Sequence, residues 1–417
     1  MQLSDDCFAA GDRLMTTAEA LDLLADRISP IGGTELQLLR HAMGRILAED
    51  IVSDHNVPPH ANSAVDGYAF AFDDLMPDAE TYLQITGRSA AGHPFSGKSG
   101  SGEAVRIFTG AVIPVGCDTV AMQEDCDVDT HRVIIPPGLS HGANSRRAGE
   151  DVQNGDVVLT RGHVLRAQDL GMLASVGLAE IPVYQPIRVA VFSTGDEIKE
   201  PGGQLADGAI YDSNRYVLMS LLNALPVDVT DMGILPDNLA SVASALRIAA
   251  ADHDLLLTSG GVSVGEEDHV KSAVEESGTL HFWRLAIKPG RPLAMGQING
   301  VPFVGLPGNP VAAMVTFLRF ARPLLLGLAG GARVDPQLYR VRANFSYHKK
   351  PNRREWVRAR LRTADDGTLE VEKFDRDGAG ILRSLVESTG LVELPEEMTE
   401  VVPGTMVDFL PFAEVVS

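Results

Sequence analysis

The chain reads as a multidomain α/β protein whose centre is a doubly wound parallel sheet, and three observations carry that reading. Between residues 186 and 334, apolar-rich runs (187–192, nearly all apolar, then 227–235, 254–258, 280–287 and 301–306) alternate with stretches of helical spacing. Strands apolar on both faces are covered on both faces, and helical connections make them parallel. The runs at 187–192, 254–258 and 301–306 lead into loops rich in glycine, serine, proline and acid, at the edge where open parallel sheets bind ligands. On either side the texture changes to short β-rich runs punctuated by glycine and proline, which marks smaller β units.

Taken in order, residues 16–49 predict helix. Thr16 or Thr17 caps the start, and Leu21, Leu24, Ile28, Leu38, Leu39 and Leu47 recur at roughly helical spacing. Pro58 and Pro59 make 53–63 a linker. From 64 to 140, β runs at 82–86, 104–109 and 132–135 alternate with turns such as 97–102, and 145–185 returns to mixed helix and loop. Segments 1–52 and 145–185 are therefore expected to form one helical and mixed domain, with a small β domain, 53–144, inserted in it. The α/β domain spans 186–334. Its helices are expected after Asp212 or Ser213, from about Asn238, near Glu266, and from Asn309, with Pro310 at the first position where a missing N–H costs nothing. The tail, 335–417, carries runs at 338–345, 356–361, 368–373, 390–394 and 406–410, which reads as a small β-barrel.

Bulk properties exclude several classes. The formal net charge of the 417 residues is −21; such a surface repels nucleic acid and anionic lipid, so neither is expected as a partner. No run approaches the ~18 apolar residues of a membrane span, and none is expected. The acidic start, MQLSDDCFAAGDR, has no apolar signal core, which reads as cytoplasmic. Three cysteines, Cys7, Cys117 and Cys126, with no CxxC pair, predict neither a disulfide framework nor structural zinc.

The chemistry is expected on the loops. Ser193–Glu197 places Gly195 before two carboxylates at the ligand edge. Ser259–Asp268 offers Gly260, Gly261 and Gly265 with Ser259 and Ser263 between strand and helix, a backbone that can approach a phosphate closely. It lacks the Gly-Lys-Ser/Thr ending of a Walker A loop. Arg284, Lys288 and Arg291 are cations on a turn stiffened by Pro289, Gly290 and Pro292, which suggests an oxyanion site in an otherwise acidic chain. Pro307, Gly308 and Pro310 stiffen the last strand–helix joint. Asp66 and Thr109 lie in the small β domain, Asp151 after it, and a basic string, 349–358, lies in the tail. Taken singly, each has an ordinary reading as a charged turn, a rigid joint or a solvated face.

Together the strings SAVDGYA (63–69), RIFTGA (106–111), GEDV (149–152), FSTGDE (192–197), IYDSN (210–214), SGGVSVGEED (259–268), FWRLAIKPGRP (282–292) and GLPGNP (305–310) closely resemble the MoeA family of molybdopterin molybdenumtransferases, which includes the E domain of gephyrin. PNRREWVR (351–358) extends the match weakly into the tail. The resemblance implies a molybdopterin-binding α/β domain and a homodimer whose 1–52 and 145–185 segments form the dimerisation domain. It implies an active site between one subunit's sheet domain and the other's β domain. It implies insertion of molybdenum from molybdate into adenylylated molybdopterin with release of AMP, using Mg²⁺, and contacts with other proteins of cofactor biosynthesis. Carried over by position, Asp66, Thr109, Asp151, Glu197, Asp237 and Asp268 are the functional polar residues, with Glu197, Asp237 and Asp268 as candidate metal ligands. Asp212, Ser259, Gly260, Gly261, Ser263, Gly265, Pro307, Gly308 and Pro310 would contact substrate, and Lys288, Arg291 and Arg358 would hold molybdate. Arg284 and Arg291 stand where the family commonly has lysine, and Arg383-Ser384 where it has a Ser-Ser pair. Two other classes are open at this stage: a pterin adenylyltransferase, which would need only the sheet domain, and a non-catalytic scaffold, which would tolerate loss of the acids.

Overall fold

The computed structural model describes residues 8–9, 14–261, 269–332 and 335–416. Its centre is a seven-stranded sheet in the order Leu14–Met15, Gly278–Leu285, Pro292–Ile298, Val301–Leu306, Leu255–Ser259, Ile187–Thr194, Val227–Leu235. Alternate residues of the central strands face opposite ways, as a two-residue period requires. Val189, Val191, Leu255 and Leu257 pack with helix Asn214–Leu222 and the helix beginning at Pro310. Ala190, Phe192 and Leu256 pack with helices Leu239–Asp252 and His269–Ser277. Both faces are covered, which is why Val189–Phe192 and Leu255–Leu257 are apolar at every position.

The sheet is not parallel throughout. Pro292–Ile298, which sequence reading did not find, runs antiparallel to both its neighbours. It turns into Val301–Leu306 through Asn299 and Gly300, both at positive φ (51° and 81°), and Ile298 pairs with Val301. A two-residue Asn-Gly turn of this kind suits the twist of a hairpin.

The expected long N-terminal helix is also corrected. Only Thr17–Arg27 is helical, held by a reciprocal Thr16–Glu19 capping box. Pro30, Gly32 and Gly33 end the pattern, and Thr34–Leu38 is a strand paired antiparallel with Glu180–Tyr184. Ile51–Val52 pairs with Val157–Leu159, and Leu47, Leu165, Leu173, Ile181 and Val183 share one core. Residues 34–52 thus form one unit with the chain after the small β domain, whereas Leu14–Met15 pairs with Arg284–Leu285 of the central sheet and helix Thr17–Arg27 packs into the main core, so the N-terminal segment is shared between the two.

Between them lies a six-stranded sheet in the order Thr119–Met122, Gly67–Phe70, Glu103–Ile107, Thr81–Ser89, Arg132–Ile135, Asp127–Asp129. Gly67 is needed there, because a Cβ would sit 1.9 Å from the Ala121 carbonyl oxygen. In the tail, Tyr339–Ala343, Arg354–Thr363, Leu369–Lys373, Gly390–Leu394 and Met406–Pro411 close into a barrel, with Arg354–Thr363 pairing on both sides. Ile287–Lys288, just past the sheet strand Gly278–Leu285, adds to the barrel in parallel, Lys288 opposite Glu355. That seam fixes the barrel against the ligand edge of the sheet.

Residues Pro310–Leu328 are long and apolar enough to cross a membrane by length and composition, yet 72% of the stretch is buried inside the protein. Val311, Val315, Phe317, Phe320 and Leu324 belong to the main core, so it reads as a core helix. Cys117 and Cys126 are free, and burial pushes both thiols up to about 11; Cys7 lies outside the described residues.

Candidate active site

The loops at the sheet's ligand edge and one face of the barrel enclose a cleft of ≈550 Å³. Lys288, Arg291 and Arg358 all line it, with Glu197, Gly260, Gly261, Pro307 and Gly308 on the sheet side. Arg358 is the most telling. It is buried, and its guanidinium is held by Ser384 Oγ at 3.1 Å and by the carbonyl oxygens of Gly378 (3.1 Å) and Arg376 (3.4 Å). Among the described residues no carboxylate pairs with it. Burial lowers its pKa, Asp377 and Tyr347 only partly opposing, and a buried cation without a counter-ion favours an anionic ligand. Arg291 is exposed at the rim.

Lys288 is tied across the seam. Its Nζ donates to Tyr347 Oη at 3.0 Å and lies 3.4 Å from Glu355 Oε2. Burial pulls its pKa down, but the bonds to Tyr347 and Glu355 outweigh that and leave it raised. Glu355, 1% exposed, accepts on its other oxygen from Arg353 Nε and Nη2 at 2.7 and 2.6 Å. Tyr347 and Glu355 line the cleft too. Sequence reading missed both; a lone acid inside the basic string was the available signal for Glu355. Ser384, the serine kept in the Arg383-Ser384 pair, acts through Arg358, also donating to Ile381 O at 2.6 Å.

Gly195 lets Glu197 fold back over the turn. Its φ is 135°, and a Cβ there would lie 2.6 Å from Glu197 Oε2. The exposed Glu197 therefore faces the cations across the cleft. Asp237, half-buried, accepts from Thr194 Oγ1 at 3.1 Å and is not on the cleft wall. Asp268 lies outside the described residues, as do Ser263 and Gly265. Among the described residues no three acidic, histidine or cysteine side chains gather as for a metal. Mg²⁺ does not need three, because it takes one or two carboxylates and completes its shell with water and phosphate. Of the candidate metal ligands among the described residues, Glu197 stands on the cleft wall.

Two expected substrate contacts have other work. Asp212 is buried, and its oxygens accept from Arg215 N (3.2 Å) and Arg215 Nε (2.9 Å). Arg215, itself 2% exposed, also binds Asp231 and Glu200. The carboxylates overcome burial and raise its pKa. Asp212 thus locks the 195–212 loop to helix Asn214–Leu222 and is not on the cleft wall. The Ser259 hydroxyl donates to Pro307 O (3.0 Å) and accepts from Asn214 Nδ2 (2.8 Å), whose other contact is Gly308 O (2.7 Å). This clamp brings the 259–261 and 307–309 loops together. Asn309 occupies the cap position but makes no side-chain cap bond. Pro310 starts the helix, and Val311 N donates to Ala379 O of the barrel at 2.9 Å.

The remaining residues are elsewhere. Asp66 Oδ1 accepts from both Thr109 N and Thr109 Oγ1 at 2.8 Å, and these two bonds lower its pKa. Arg106 stacks on Tyr68 and Phe108 beside them. This pair belongs to the small β domain, and Asp151, exposed, to the segment after it. Neither lines the cleft of this chain.

Known proteins match along the whole length. The MoeA N-terminal region (domain I and II) matches residues 15–177, a probable molybdopterin binding domain matches 190–327, and the MoeA C-terminal region (domain IV) matches 340–412. Molybdopterin molybdenumtransferase of Haemophilus influenzae is 40% identical over 401 residues, covering 96% of this chain and 99% of that one. The Nostoc enzyme of the same name is 33% identical, covering 91% and 89%. The crystal structure of the molybdopterin biosynthesis moeA protein from Pyrococcus horikoshii, 29% identical, superposes with a TM-score of 0.81 over 96% of this chain and 100% of that one. A sheet domain alone, as an adenylyltransferase would need, does not account for the matches on both sides of it. The chain belongs to the MoeA family of molybdopterin molybdenumtransferases, transferases that insert molybdenum in the biosynthesis of the molybdenum cofactor.

Proposed function

We propose that the cleft joins molybdate to adenylylated molybdopterin and that insertion of molybdenum is coupled to release of AMP. The observation that carries this reading is the convergence of Lys288, Arg291 and Arg358 on one cleft, one of them buried without a carboxylate partner among the described residues. Molybdate is a dianion and the adenylyl linkage is anionic, so fixed cations in a partly dry site stabilise both. Gly260, Gly261 and Gly308 let the pterin and phosphate come close to backbone. Lys288, Arg291 and Arg358 orient the oxyanion toward the substrate's own dithiolene sulfurs, so no protein thiol is required. Glu197 and Asp237, with Asp268, would hold Mg²⁺, which neutralises phosphate charge when bound.

The dimer belongs to the same proposal. Leu36, Met43, Val52 and Val157 are 54–70% exposed on the 34–52 and 145–184 unit, and Val52 and Val157 are paired; exposed apolar side chains of this kind suit a partner's cover. A second copy seated there would bring its Asp66–Thr109 pair and Asp151 to the open side of the cleft. The reaction is assigned to the cytoplasm, with other proteins of cofactor biosynthesis as contacts.

The test is AMP release from adenylylated molybdopterin. The full-length protein should release AMP only when molybdate and Mg²⁺ are both present, and Glu197→Gln should raise the Mg²⁺ needed for half-maximal release. Because Glu197 is exposed, that variant should keep the parent's Tm. AMP release that ignores molybdate would sink the coupled reaction. A parental Mg²⁺ titration would remove Glu197 from the metal.

A further inference from the structure

We infer that Tyr347 and Glu355 of the barrel are positioning residues for the oxyanion site: they hold the Lys288 ammonium at the cleft wall, while Arg353 balances the charge of Glu355 and leaves that of Lys288 for the ligand. The inference rests on the assignment of Lys288 to molybdate. A lysine at a cleft rim is a flexible point charge; this one is caught by three constraints. Its Nζ lies 3.0 Å from Tyr347 Oη and 3.4 Å from Glu355 Oε2, it sits 5.6 Å from the Tyr347 ring centroid, and its backbone is paired with that of Glu355. Tyr347 Oη donates to the same Glu355 oxygen at 2.8 Å, which fixes the direction of its lone pairs toward the lysine.

The charge count explains why the acid does not simply neutralise the lysine. Glu355 is buried and already receives two bonds from Arg353 on its other oxygen, and a carboxylate so buried must be compensated. With that pair closed, Lys288, Arg291 and Arg358 remain as cleft cations. Lys373, 5.9 Å from the Tyr347 ring, is paired with Asp377. The oxyanion site is therefore complete only when the barrel is seated on the sheet domain, since Lys288 comes from one and its holders from the other.

The experiment uses the full-length protein and Tyr347→Phe, which removes one hydroxyl and no packing, together with Glu355→Gln, Glu355→Asp and Lys288→Ala. Two quantities are read: KM for molybdate against kcat, and the rate at which an N-hydroxysuccinimidyl acetate acylates Lys288, followed by peptide mass spectrometry. Tyr347→Phe should raise KM for molybdate about tenfold, as for loss of a charge-assisted bond, with kcat within about twofold. It should also speed acylation, because an amine without these acceptors loses its proton more readily. Glu355→Gln should do the same, and Glu355→Asp should recover part of the loss. Parental KM and acylation rates in Tyr347→Phe and Glu355→Gln, with KM raised in Lys288→Ala, would overturn the positioning role. An unchanged KM in Lys288→Ala would instead overturn the molybdate assignment on which the role rests.

Discussion

The cleft and the Asp66 face solve opposite problems. In the cleft, cations are immobilised by buried partners: Arg358 by Ser384 and two carbonyl oxygens, Lys288 by Tyr347 and Glu355. Everything needed to define that wall is present in one chain. On the small β domain, Asp66 is held just as definitely, by two donors of Thr109, but it is not among the residues that line the cleft. The difference teaches that the two halves of the proposed chemistry are built by different domains, and the proposed dimer is what would bring them together.

The largest expected effect breaks that comparison directly. Asp66→Ala and Lys288→Ala homodimers should both be nearly inactive. After the two are denatured, mixed and refolded together, half of the dimers are heterodimers by chance, and each has one intact site if sites are shared across a two-fold axis. Activity should return to about a quarter of the parent's, by the same symmetry argument. A mixture as inactive as its components would place both residues in one chain's site and end the shared-site reading.

A smaller effect sharpens the cleft side. Arg358→Met removes a buried cation that has no carboxylate partner among the described residues and substitutes an apolar chain of similar length. Replacing buried charge in this way is often neutral or stabilising, so the Tm should hold or rise. KM for molybdate should rise by about 1.5–3 kcal/mol in equivalent binding energy. A fall in Tm with unchanged molybdate dependence would make Arg358 a structural residue.

Much of this was legible in the sequence, and the exceptions have physical causes. Strands buried on both faces announce themselves by composition, so Leu255–Ser259 and Val301–Leu306 fall where the apolar runs do. Pro292–Ile298 was missed although Asn299-Gly300 is a strong hairpin signal, because the alternation of strand and helix argued for a parallel neighbour. The N-terminal leucines keep helical spacing beyond Arg27, but Leu38 ends a short strand, Leu39 opens a 3-10 turn and Leu47 enters the core from an isolated bridge, and spacing cannot tell these from helix. In the site, the residues that touch a ligand loop stood out by type: Lys288, Arg291, Glu197 and the glycines. Those that act through another side chain did not. Asp212 was expected at the substrate from the resemblance of 210–214, and only the fold shows that both its oxygens accept from Arg215. Glu355 and Tyr347 are remote in sequence from Lys288 and meet it only when the barrel docks.

The smallest effect concerns the Asp66 face and its charge state. Both Thr109 bonds reach the ionised carboxylate, so the folded pKa of Asp66 lies below its ordinary value. A depressed acid contributes stability that is present above its unfolded pKa, about 3.9 for aspartate, and is lost as pH falls through the folded value. Thr109→Val removes the hydroxyl donor and keeps the backbone one, so the folded pKa should move part of the way back up. The parent should then be slightly more stable than the variant at neutral pH, and the gap should close as pH drops below about 4. Urea unfolding of both proteins from pH 7 downward measures it. A gap that is the same at every pH would mean that the hydroxyl does not bond the charged form, since packing changes from the added methyl carry no proton dependence. The outcome bears on chemistry as well as stability. A carboxylate held ionised this far below neutral pH is a poor proton donor, so in a shared site Asp66 would accept hydrogen bonds from substrate N–H groups and would not serve as a general acid.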